Sequence, residues 1–353
     1  MARVSLHALC VLLVLGADLI SAPASGADAP ALEGLWRQLL ARPNEIPHPP
    51  DNRPNACRIA LGRVLFRDTR LSRDSTRSCA SCHRPELAFT DGLARAASSQ
   101  GGALARNTPS LLDVAWSTAL HWDGSVGSLE EQAWRPISHA GEMAGQWPRI
   151  EAALEADPIL RASFARAFPE RPVISADNLA KALAAYQRTI RSPPTRFDAW
   201  LEGDDRALDT SERAGLQLFV GKAGCIGCHG GWRLSDGRRH DIGLPAAAPA
   251  SRTETLAWRT PPLRGVALTG PYMHDGSKAS LAEVIEHYAG GFESRPTLSG
   301  NMVRGLTLTA REKTQLEAFL HTLSPADPHA LSGQAAIPTS LGQDCLSGST
   351  AIR

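Results

Sequence analysis

Apolar positions recur along this chain at three- and four-residue intervals, and almost no segment alternates with a period of two. Leu179, Leu183, Tyr186 and Ile190 fall on one face of a helix that Ser175 can cap, the spacing of a helix packed on a core. Leu316, Phe319, Leu320 and Leu323 form a second such face behind the capping box Thr309-Ala310-Arg311-Glu312. Ser128-Leu129-Glu130-Glu131 and Ser280-Leu281-Ala282-Glu283 have the same form, and each is expected to open a helix. The pattern predicts a mainly α fold. Proline-rich stretches at 43–54 and 325–338 are expected to run over the surface as arms.

The first residues read differently. Arg3 precedes an apolar run from Ala8 to Ala17, and small residues follow to Ser25-Gly26-Ala27. This predicts a signal peptide over 1–27, cleaved before Asp28; an uncleaved anchor is the alternative. The run is short for a membrane span, Asp18 interrupts it, and no later segment is apolar enough. The mature chain is expected to be soluble and periplasmic. With 37 basic and 36 acidic residues the net charge is +1, which argues against a nucleic-acid footprint and a polybasic membrane anchor. The 353 residues suffice for two ordinary domains. Aromatic content of 5% leaves room for a bulky buried cofactor.

Of seven cysteines, Cys10 belongs to the leader, and four form two copies of one motif. Cys79-Ala80-Ser81-Cys82-His83 and Cys225-Ile226-Gly227-Cys228-His229 are both Cys-x-x-Cys-His. Two thiols on one helical turn can form thioethers to haem vinyl groups, and the adjacent histidine can ligate the iron. A thioredoxin-like site needs one Cys-x-x-Cys and no histidine. A zinc ribbon sets its second pair roughly 15–20 residues on, far closer than Cys225 stands to Cys82. Two covalently bound haems c are therefore expected. Cys57 and Cys345 remain, either as a disulfide or as two separate buried thiols.

More than the motif repeats. Gly62-Arg63-Val64-Leu65-Phe66 stands before the first copy and Gly215-Leu216-Gln217-Leu218-Phe219 before the second. Arg106-Asn107-Thr108-Pro109 is answered by Arg259-Thr260-Pro261-Pro262, and Trp122-Asp123-Gly124-Ser125 by His274-Asp275-Gly276-Ser277. The expected organisation is two c-type cytochrome domains related by an internal repeat, at 28–195 and 196–353, with a haem in each. Tyr288 stands fourteen residues after His274, and the matching position after Trp122 is Pro136. A tyrosine phenolate can ligate ferric iron and a proline cannot. The expectation is a six-coordinate second haem, with His229 and Tyr288, and a five-coordinate first haem on His83. Tyr288 could instead be a core residue, with His287 or Met302 as ligand; His139 or Met143 could close the first site. An open iron binds small oxidants such as hydrogen peroxide. Glu142 could then move the peroxide proton while Gln132 orients the substrate, although either could be an ordinary exposed helix residue. Asn107, with the carbonyls of Thr269 and Pro271, offers hard oxygen ligands for a cation between the halves.

In these motifs the chain resembles the bacterial di-haem cytochrome c peroxidase / MauG family over nearly all of its mature length. Further stretches carrying the likeness are Ala88-Phe89-Thr90-Asp91, His240-Asp241-Ile242-Gly243-Leu244-Pro245 and Gly270-Pro271-Tyr272-Met273-His274. The resemblance implies that Gln132 and Glu142 handle peroxide and that Trp122 carries charge between the haems. It also implies calcium at Asn107, Thr269 and Pro271. Tyr288 is as in MauG, where peroxidases usually have methionine. The implied partner is a small electron-donor cytochrome or another redox protein, including one undergoing oxidative modification. There are departures. No histidine occurs between His83 and His121 to close the resting site, Ala223 replaces a tryptophan of MauG, and His139 replaces an asparagine beside the distal glutamate. A plain electron carrier and a haem-based sensor are the competing readings.

Overall fold

The computed structural model describes residues 29–245, 256–327, 330–331 and 345–346. The expected leader at 1–27 and most of the 325–338 arm lie outside the described residues. Contacts divide the chain into two compact units, Met1–Leu39 and Leu40–Arg353. Of the first, residues 29–39 are described, in helix α1 (Ala29–Leu40); everything below concerns the second.

Helices dominate, as the periodicity predicts. They are α2 (Ala56–Leu65), α3 (Cys79–Cys82), α4 (Leu129–Ser138), α5 (Trp147–Glu155), α6 (Pro158–Ala167), α7 (Ala176–Gln187), α8 (Arg196–Leu201), α9 (Thr210–Val220), α10 (Leu281–Glu286) and α11 (Ala310–Thr322). Among the described residues the one sheet joins β1 (Arg239–His240) to β2 (Trp258–Arg259), antiparallel, with Arg239 opposite Arg259 and His240 opposite Trp258. The caps form where the sequence places them. Ser175 accepts from Asn178 N to start α7, and Thr309 with Glu312 closes a reciprocal box on α11. Ser128 and Ser280 cap α4 and α10 by accepting from Glu131 N and Glu283 N. The return half of those two boxes goes elsewhere: Glu131 takes Arg135 at 2.7 Å and Glu283 takes Ala279 N at 3.0 Å.

Two helix crossings set the frame. Helix α2 packs on α7, and α9 on α11. Each contact turns on a glycine. A Cβ on Gly62 would lie 1.9 Å from Ala182 O, and one on Gly215 would lie 1.9 Å from Gln315 O. Phe66 packs on Tyr186 at 5.2 Å between ring centroids and on His83 at 6.5 Å. Phe219 packs on Phe319 and on His229 at the same two distances. Each crossing therefore presses an aromatic ring toward the histidine of a Cys-x-x-Cys-His. Leu179, Leu183 and Phe319 are fully buried in these contacts, each contributing about 1.5–3 kcal/mol of apolar transfer. Cys57 and Cys345 form a disulfide, which ties the described C-terminal turn to α2. Arg166 Nε also donates to Cys345 O at 3.1 Å.

Candidate functional site

Cys79 and Cys82 lie on α3, one helical turn, and Cys225 opens a 3-10 turn ending at Gly227. His83 Nδ1 is 2.9 Å from Phe89 O, and His229 Nδ1 is 2.8 Å from Leu234 O. A carbonyl only accepts, so Nδ1 carries the proton in both rings and Nε2 keeps the lone pair that a metal needs. Burial lowers both imidazole pKa values, which favours the neutral, ligating form. Burial also pushes the thiols of Cys79 and Cys225 up to about 12. Neither is then a thiolate of the kind a redox-active pair requires. The donor set fits a haem held by two thioethers and one neutral imidazole.

Each motif borders a cavity. Cys79, Cys82, His83, Gln132, Pro136 and Glu142 line the first. Cys225, Cys228, His229, Tyr288, Thr269 and Pro271 line the second. Trp122 and Asn107 line both. Apart from the alternative ligand His287, every candidate site residue read from the sequence borders one cavity or the other.

The two cavities differ at one matched position, with Tyr288 on the second and Pro136 on the first. Tyr288 stands eight residues after the cap Ser280, as Pro136 stands eight after Ser128. The tyrosine follows α10 in a π-helical turn, His287–Gly291, and burial raises its phenol pKa above the usual range. Of the alternative ligands there, Met302 lines the second cavity, whereas His287 is not on it and gives Nε2 to Ile242 O at 2.8 Å. His139 and Met143 both border the first cavity. Met143 is packed in the apolar core, and His139 is exposed.

Glu142 sits on a tight turn after α4. The amides of Glu142 and Ala144 both donate to His139 O at 3.0 Å, and His139 Nδ1 comes within 3.5 Å of Glu142 Oε1. Partial burial raises the Glu142 pKa, and the neighbouring imidazole pulls it the other way. A carboxyl so placed can both take and return a proton.

Trp122 is fixed in the wall common to the two cavities. Its Nε1 donates to Asn107 O at 2.8 Å, and its own carbonyl accepts from Arg259 N at 2.7 Å. The Asn107 amide donates Nδ2 to Leu93 O at 2.8 Å. Sequence reasoning assigned no role to two further residues of this wall. Trp258 stacks on His274 at 4.1 Å, with the Arg106 guanidinium 4.4 Å from its ring centroid. In the register that matches Trp122 with His274, the first-half position for Trp258 is Arg106, so the repeat carries no signal for it. Arg259 does stand in a repeated motif, and that signal was available.

Residues 56–206 match the family described as di-haem cytochrome c peroxidase. The chain is 41% identical over 326 residues to methylamine utilization protein MauG of Methylorubrum extorquens, covering 90% of this chain and 91% of that protein. It is 31% identical over 338 residues to cytochrome c551 peroxidase of Pseudomonas aeruginosa, covering 90% and 93%. Among solved structures, a MauG-like protein associated with microbial copper homeostasis superposes with a TM-score of 0.73 at 34% identity, covering 84% of this chain and 97% of that one. The diheme peroxidase BthA of Burkholderia thailandensis superposes with a TM-score of 0.66 at 25% identity, covering 81% and 92%. The chain belongs to the di-haem cytochrome c peroxidase / MauG family, and is a haem-dependent oxidoreductase. No helix among the described residues is long and apolar enough to cross a membrane.

Proposed function

We propose that this chain is a periplasmic oxidoreductase that reduces hydrogen peroxide at one haem c and draws electrons through a second from a protein partner. The observation that carries this reading is the contrast between the cavities: Tyr288 on the second, and Pro136 with Glu142 and Gln132 on the first. Two domains, 28–195 and 196–353, would each hold one haem. The matched glycine crossings and the matched Phe66–His83 and Phe219–His229 contacts support that division.

Haem iron in the first cavity would supply the site where peroxide oxygen binds and its O–O bond is cleaved. Glu142 takes the proton from the inner peroxide oxygen and returns it to the outer one, which leaves as water. Gln132 holds the substrate by its amide. Two electrons from the partner and two protons complete the reduction to two waters. Trp122, which borders both cavities, would pass charge between them. His229 and Tyr288 would hold the iron of the haem in the second cavity. A calcium ion would be held by Asn107, whose Nδ2 is already committed, leaving Oδ1, with the carbonyls of Thr269 and Pro271. The disulfide between Cys57 and Cys345 suits an oxidising compartment.

The test is steady-state oxidation of a reduced small c-type cytochrome by peroxide, with this holoprotein as catalyst. Turnover is expected. Two haems that are saturated and inert to peroxide would leave only an electron carrier. A second reading has its own support. The identity to MauG and the tyrosine at 288 favour oxidative modification of a partner protein. Peroxide consumption that depends on such a partner, with no turnover on any cytochrome, would select it.

A further inference from the structure

Five arginines are buried among the described residues, and four of them have a carboxylate neighbour. Arg58 pairs with Glu170, Arg188 with Glu130 and Arg264 with Asp198. Arg233 donates to Ser117 Oγ and feels the Asp113 carboxylate. Arg259 is the exception. Its Nε donates to His121 O at 3.0 Å, its Nη1 lies 3.5 Å from Thr260 O, and the nearby charge it feels is that of Arg233. No carboxylate among the described residues pairs with it. Burial and that like charge bring its pKa down to about 10. A buried charge without a counter-charge is among the costliest arrangements in a folded chain. Anchoring through Nε and one hydrogen of Nη1 leaves Nη2 and the other Nη1 hydrogen for a bound group.

The position of Arg259 indicates what that group is. Arg259 borders both cavities, and its backbone is held by the Trp122 carbonyl and by the β1–β2 pairing. Arg106 and Arg239 border the first cavity only. On the second, the companion cation Arg264 is already neutralised by Asp198. Positive charge therefore collects on the first cavity. Arg77 adds a further cation, and two carboxylates also border it: Glu142, and Asp123, which is bonded to Ser125 N and faces His121.

The anions that a haem brings to a protein are its two propionates. We infer that Arg259 is the buried counter-ion of a propionate of the haem in the first cavity, and that its charge sets that haem's reduction potential. This rests on the two-haem reading above. A cation beside the propionate offsets negative charge near the iron and favours the reduced state; removing it favours the ferric state.

The experiment uses the mature holoprotein with its haem count fixed by the pyridine haemochrome assay. Potentials of both haems are measured by spectroelectrochemistry, and propionate bending bands by resonance Raman, for the native protein, Arg259→Gln and Arg259→Lys. In Arg259→Gln the first haem's reduction equilibrium should fall about tenfold, a drop of about 59 mV for one electron, and its propionate band should move. Arg259→Lys keeps the charge and should recover most of the potential while its band still moves, because an ammonium cannot reproduce the guanidinium fork. Arg259→Gln with two haems and unchanged potentials and bands overturns the assignment. If that variant does not mature, Arg259→Lys decides: a moved band upholds the assignment, and an unmoved one overturns it. A native protein with fewer than two haems refutes the two-haem reading instead.

Discussion

Replacing Asp198 with alanine removes the acceptor of one tightly bonded cluster. The Asp198 carboxylate, 5% exposed, accepts Arg42 Nε at 2.8 Å and Nη2 at 3.0 Å, Arg264 Nη1 at 2.6 Å, and the amide and hydroxyl of Thr195 at 2.8 and 2.9 Å. The Arg264 side chain is fully buried. Without the carboxylate it becomes an unpaired interior charge, and breaking such a pair costs about 3–5 kcal/mol. Arg264 also donates Nε to Trp232 O at 2.7 Å and borders the second cavity, so the loss reaches the site wall. Burial alone would raise the Asp198 pKa, but bonding to Arg42 and the charge of Arg264 outweigh it and hold the carboxyl below the usual range. A group depressed in the folded state stabilises above its unfolded pKa, and that contribution disappears as pH falls through the folded value. Guanidinium unfolding, followed by far-UV circular dichroism at neutral and acidic pH, should show a gap of about 3–5 kcal/mol at neutrality that narrows in acid. A gap below about 1 kcal/mol, within the range of exposed pairs, or one indifferent to pH, would refute the reasoning.

Glu142→Gln should slow the reaction with peroxide by about 10²–10⁴-fold in stopped-flow mixing, without loss of haem. Because burial raises the Glu142 pKa, the native rate should climb with pH through a value above the ordinary glutamate range, and the variant should lose that limb. Tyr288→Met should raise the potential of the second haem, since a thioether favours ferrous iron more than a phenolate does; spectroelectrochemistry reads the shift, and no shift denies the ligand role. Gly62→Ala and Gly215→Ala each drive a Cβ onto a backbone oxygen that cannot swing aside. Each should cost at least the 1–3 kcal/mol typical of overpacking, read as a lower denaturation midpoint.

The attachment chemistry was plain in the sequence because five consecutive residues carry all of it. Helix starts were equally plain at Ser175, whose hydroxyl accepts from Asn178 N, and at Thr309, where Glu312 closes the box while also taking Lys222. At Ser128 and Ser280 the same residue types formed only half the box. Arg135 competes for Glu131, and the Ala279 amide competes for Glu283. Residue spacing cannot say which partner wins. The wall between the cavities was half visible. Trp122 and Asn107 stand in recognisable motifs, but Trp258 reaches them only through a two-residue strand pairing and a stack on His274. Contacts between segments so distant in sequence leave no periodic trace. The buried, carboxylate-free state of Arg259 is likewise a property of the folded surroundings.

Inequality of the two centres is the claim on which the rest depends, and low-temperature electron paramagnetic resonance of the resting ferric holoprotein tests it most directly. One high-spin and one low-spin signal of equal weight are expected, the high-spin signal disappearing first when peroxide is added. Two low-spin signals, or a single signal unaffected by peroxide, would contradict the account.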